Sequence, residues 1–153
     1  VEWNGLIGAF GFIVTFSIAF YLAKLAKKHG AKMIHFACLL FGAISFLWFP
    51  TIQNQYVFFA VIIGYGIAWA SMMGIPYLMV VAVIPKERYG VYMGIINMMI
   101  VIPMIIQNLS FGYILKNFLD NDPRQAISFA GVLLMLAAIC TLLIKIKNTK
   151  VSE

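Results

Sequence analysis

The chain has 153 residues, of which 63% are apolar and only 10% are charged. A soluble domain usually carries about 25% charged residues, and so few charges cannot cover so large an apolar fraction in water. The composition excludes a soluble enzyme, a disordered tail and a disulfide scaffold, and leaves an integral membrane protein.

In chain order, the stretches without Asp, Glu, Lys or Arg are residues 3–23, 33–85, 89–115 and 125–144. A spanning helix takes about 20 apolar residues at a rise of about 1.5 Å each. The second stretch is too long for one span and is interrupted by a polar turn, Pro50 to Gln55, that opens on a proline. Five spans are predicted, at 4–24, 33–50, 55–84, 88–116 and 125–145. The third and fourth are long enough to tilt or to extend past the bilayer. Each is apolar on all sides, without the alternating polarity of a membrane-barrel strand. The expected fold class is an all-α membrane protein.

The net charge of +6 is not a nucleic-acid footprint, because its distribution follows the spans. Lys24, Lys27, Lys28 and Lys32 follow span one, Lys86 and Arg88 follow span three, and Lys145, Lys147 and Lys150 follow span five. These nine fall on one side of the membrane, against Lys116 and Arg124 on the other. The positive-inside rule then puts the C-terminus in the cytoplasm and the N-terminus outside. Trp3, Trp48, Tyr56 and Tyr113 fall near the outer ends and Tyr21, Tyr89 and Tyr92 near the inner ones, as an interfacial belt requires. Neither an initiator Met, a basic segment nor a cleavage site precedes span one, so it does not read as a signal peptide. Five spans with an outside N-terminus read as the C-terminal piece of a longer protein.

No charged residue lies well inside a span, where charges mark proton relays and ion paths. His35 is expected in interfacial water about one turn in from Lys32, and Cys38 and Cys140 as free thiols at membrane depth. No metal-spaced His, Cys or Asp cluster and no glycine-rich phosphate loop occurs, so catalysis, a metal or a cofactor is not expected.

Small residues form stripes that fit close helix packing in lipid. They are Gly8, Gly11, Thr15 and Ala19 in span one, Gly64, Ala68 and Ser71 in span three, Gly90 and Gly94 in span four, and Ser128, Gly131, Ala138 and Thr141 in span five. Span four also carries amides. On a wheel of about 100° per residue, Asn108 lies within about 20° of Asn97, with Gln107 one step round. Such amides either bond between helices or line a cavity for a polyhydroxy solute, since they both donate and accept. Pro76 and Pro103 should bend or weaken spans three and four. Tyr65, Trp69, Met72 and Pro76 share a face of span three opposite Ser71, where Trp69 meets lipid or stacks on a sugar ring.

The segments 66–77 (GIAWASMMGIPY), 84–97 (IPKERYGVYMGIIN) and 100–103 (IVIP) resemble the sucrose/proton symporter branch of the major facilitator superfamily. Pro85, Gly90, Met93, Gly94, Asn97 and Ile100 to Pro103 match its pattern, and Met104 stands where that branch has Gln. The resemblance covers nearly the whole chain. It implies that the five spans are helices eight to twelve of a twelve-helix transporter, most of its C-terminal six-helix half, in a plasma or bacterial inner membrane. It also implies a sugar substrate and a coupling proton, with coupling carboxylates in an N-terminal half that this chain lacks. The solute-binding residues it implies are Asn108 first, then Asn97 and Gln107, with Thr15 and Trp69 behind them. Residues 27–32 look like a degenerate copy of the superfamily's Asp-Arg-x-Gly-Arg-Lys gating loop, with Lys28, Gly30 and Lys32 fitting and Lys27 and Ala31 departing. The competing reading is a five-helix pore-forming or structural membrane subunit.

Overall fold

The computed structural model describes residues 2–145. Lys147 and Lys150 of the basic cluster lie outside the described residues. Five helices follow one another: α1 (Glu2–His29), α2 (Ala31–Trp48), α3 (Phe58–Val81), α4 (Tyr89–Phe118) and α5 (Pro123–Leu143). All five are long and apolar enough to cross a membrane, and no strand occurs among the described residues. The protein is an all-α, multi-pass membrane protein.

The connections correct the expected boundaries. Spans ending at 24 and starting at 33 leave residues 27–32 as an expected basic loop, but α1 runs to His29 and α2 begins at Ala31. The segment from Leu25 to Lys28 consists of good helix formers, so nothing unwinds it before Gly30. Gly30 alone turns the corner at φ +90°, a conformation open to glycine. Its N–H donates to Ala26 and its carbonyl accepts from Ile34, so one residue serves two helix ends.

The polar turn after α2 is two short 3-10 turns, Phe49–Thr51 and Gln55–Val57, and the Asn54 side chain accepts the Tyr56 N–H at 2.9 Å. The third span, expected at 55–84, is helical from Phe58 to Val81. The amides of Val83 and Ile84 both donate to the Val80 carbonyl, and Pro85 then stops the chain from continuing as helix. After α4, Asp120 and Asn121 take left-handed conformations that these two residue types tolerate. Asp122 then caps α5 through the Arg124 N–H at 2.8 Å, with Pro123 at the first helical position.

α2 packs between α3 and α5, and α1 packs on α3. The small residues make this possible, since helices in lipid gain from close contact rather than from hydrophobic expulsion. A Cβ on Gly64 would overlap the Ser45 side chain, and one on Gly42 would lie 2.5 Å from Ala68. Gly66 rests on Val14 and the Gly11 carbonyl, and Gly131 sits against Phe46 and Leu47. The stripes of spans three and five therefore pack as expected, whereas that of span one packs only at Gly11 and Thr15, with Gly8 and Ala19 exposed.

Span four differs. α4 has no buried residue, and nothing lies within 4 Å of a Cβ built on Gly90 or Gly94. No described helix covers that stripe, so its expected packing is not met here. His35 also differs from expectation. It is buried in the protein rather than open to water, with its Nδ1 2.8 Å from the Oγ of fully buried Ser71 across the α2–α3 contact. Cys38 is a buried free thiol and Cys140 an exposed one.

Candidate functional site

The α1–α3 contact leaves a crevice of about 160 Å³, lined by Gly8, Gly11, Phe12, Thr15, Tyr65 and Trp69 among others. The glycines hollow the α1 side, and α3 supplies an aromatic wall. That wall is a ladder. Phe46 stacks on Tyr65 at 5.9 Å and 13°, and Tyr65 stacks on Trp69 at 5.8 Å and 27°. Trp69 stays 37% exposed, so its face is available to whatever enters. A cavity on the order of 150 Å³ accepts one benzene-sized ring. The crevice is therefore sized for a single ring.

Thr15 and Trp69, two of the sequence-derived candidates, meet here. The Thr15 hydroxyl is engaged with backbone, reaching the Gly11 carbonyl at 2.9 Å and the Gly66 carbonyl at 3.3 Å. Its single proton is thus shared between two protein acceptors, which leaves its lone pairs for a ligand donor. The bond to Gly66 also ties α1 to α3, so Thr15 has a structural role as well.

The amides of α4 are not gathered into this crevice. The Asn97 Oδ1 accepts the Tyr77 hydroxyl at 2.6 Å, an interhelical bond between α3 and α4. Gln107 and Asn108 are exposed, and neither makes a side-chain hydrogen bond among the described residues. Unpaired amides on a spanning helix are costly in hydrocarbon. They mark a face that meets another helix, water or a solute.

The basic corner is built differently from a loop. Lys28 is exposed on the last turn of α1, Gly30 is the corner, and Lys32 is half-buried. The Lys32 ammonium donates to the carbonyls of Leu142 and Ile144, both at 2.8 Å. A cation on the free carbonyls of a helix C-terminus is favoured by hydrogen bonding and by the helix dipole. Lys32 therefore joins the start of α2 to the end of α5.

Sequence reasoning missed Phe46 as the end of the ladder, Tyr77 as the partner of Asn97, and Ser71 as the partner of His35. Tyr65 had a signal, since it lies four residues before Trp69 on the same helical face. Tyr77 and Ser71 had none, because their partners lie on other helices.

Five helices long and apolar enough to cross a membrane define a multi-pass membrane protein. The Major Facilitator Superfamily model matches residues 2–152. This chain belongs to that superfamily and is a membrane transporter acting on small molecules. No curated protein and no solved structure matches the chain.

Proposed function

We propose that this chain forms helices eight to twelve of a twelve-helix, proton-coupled sugar transporter, with its N-terminus outside and its C-terminus cytoplasmic. Transport is by alternating access, in which two helical halves rock about a site near the bilayer midplane. The observation that carries the reading is the Tyr65–Trp69 stack over the ring-sized crevice. The apolar face of one sugar ring lies on Trp69, with Thr15 at the rim. Asn108 and Gln107, which both donate and accept, serve hydroxyls of the second ring, and Asn97 adds its free N–H edge.

The spans hold no carboxylate well inside the membrane. That supports placing the proton-coupling chemistry in a preceding half. The corner at Lys28, Gly30 and Lys32 is then the cytoplasmic gating segment between helices eight and nine. Superfamily membership favours this reading over a pore-forming or structural subunit.

Uptake of labelled sucrose by the full-length protein in proteoliposomes tests the proposal. The wild type should accumulate sucrose when an inward proton gradient is imposed and lose accumulation when the gradient is collapsed. Asn108→Ala should raise KM about three- to tenfold, the equivalent of one lost hydrogen bond. Uptake that ignores the gradient would remove proton coupling, and an unchanged KM in the variant would remove Asn108 from the site.

A further inference from the structure

Tyr77 follows Pro76 directly, and its phenol donates to the Asn97 Oδ1. We propose that Tyr77 is a positioning residue that orients the Asn97 amide and, through it, sets α4 against the rest of the bundle. For the solute the inference rests on the transport reading; for the helix it stands on geometry alone.

Hydrogen-bond chemistry fixes the amide. An asparagine side chain is planar, with an acceptor oxygen on one edge and two N–H donors on the other. With the oxygen on the phenol proton, one edge of the amide is pinned to α3 and the plane of the amide is held there. The Nδ2 edge is left over, and no described side chain or backbone group accepts from it. In this arrangement the unengaged edge of Asn97 presents its two N–H donors, which suit a lone pair such as a ring, glycosidic or hydroxyl oxygen of a sugar. Without Tyr77 the amide would turn freely and lose that preference.

Helix geometry gives the same residue a second consequence. α4 has no buried residue and touches α3 sparsely. Among the described residues, Tyr77–Asn97 is the side-chain hydrogen bond between two helices that holds the α4 span. The other bond to α4, from the Tyr89 hydroxyl to the Val81 carbonyl at 3.5 Å, lies within the α3–α4 elbow itself. Pro76 and Pro103 each remove a backbone bond, so α3 is softened beside the tie and α4 beyond it. The tie thus sets how α4 stands beside the softened part of α3; Asn108, on the same wheel face, lies beyond Pro103.

The test is a double-mutant cycle in the full-length protein, with Cys38 and Cys140 replaced by serine. Spin labels on Met73→Cys and Val101→Cys, one turn from the tied pair on each helix, report the α3–α4 distance. The parent should give a narrow distribution. Tyr77→Phe and Asn97→Ala should each broaden it, and the double variant should be no broader than Asn97→Ala alone. In labelled-sucrose uptake, Tyr77→Phe should raise KM about three- to tenfold with maximal rate within about twofold. The same change in the Asn97→Ala background should do nothing. A phenylalanine variant as narrow as the parent overturns the helix tie. Equal effects of Tyr77→Phe on KM in both backgrounds overturn its action through Asn97. If the parent protein takes up no sucrose, the transport reading fails, and the distance distributions still decide the tie.

Discussion

The Ser71 hydroxyl lies 2.8 Å from Nδ1 of His35, and the two side chains meet where α2 closes on α3. Ser71 is fully buried and His35 is 8% exposed, so neither can turn to water instead. Ser71→Ala should leave the ring nitrogen unsatisfied and cost about 1–3 kcal/mol. Thermal unfolding in detergent should show the loss. The double variant Ser71→Ala with His35→Leu should lose less than Ser71→Ala alone, because removing both polar groups leaves nothing unsatisfied. A double variant weaker by the sum of both singles would contradict the pairing.

Gly64 and Gly94 look alike in sequence but should respond differently. Gly64 faces Ser45 with no room for a Cβ, whereas nothing lies within 4 Å of one at Gly94. Gly64→Ala should therefore destabilise the α2–α3 contact by about 1–3 kcal/mol through overpacking. Gly94→Ala should be neutral or slightly stabilising, since alanine is the better helix former. A loss of stability at Gly94→Ala would instead reveal a further helix packed on that stripe. Melting temperatures of the two variants check this.

Lys32 should act as a helix cap. Its ammonium holds the carbonyls of Leu142 and Ile144. Lys32→Met should free the end of α5 at a cost of about 0.3–1 kcal/mol. Amide hydrogen exchange should speed up in the last turn of α5 and stay unchanged in α4. Lys32→Arg should keep most of the protection. Equal exchange in wild type and Lys32→Met would remove the cap.

The spans and the packed stripes were legible because they depend on local facts, namely where charge is missing and where small residues recur at helical spacing. Gly30 as a one-residue corner was less legible, since lysines suggest a loop although they are good helix formers. The partners of His35, Lys32 and Asn97 were not legible at all. Each pair spans two helices, and the matching residue is selected by how those helices cross. Trp69 and Thr15 were named separately for their chemistry; that they share one crevice depends on the glycines of α1 and the approach of α3. Gln107 and Asn108 remain uncommitted to any described partner, so their role depends on what covers α4.

The central claim is that one sugar touches both the Trp69 crevice and the amide face of α4. Substrate protection of single cysteines tests it most directly, in full-length protein lacking Cys38 and Cys140. Phe12→Cys reports the crevice, Gln107→Cys the amide face, and Leu109→Cys, 82% exposed on the same helix, serves as control. The account predicts that saturating sucrose slows maleimide labelling at positions 12 and 107 and leaves position 109 unchanged. Unaltered labelling at both 12 and 107, in protein that takes up sucrose, would contradict it.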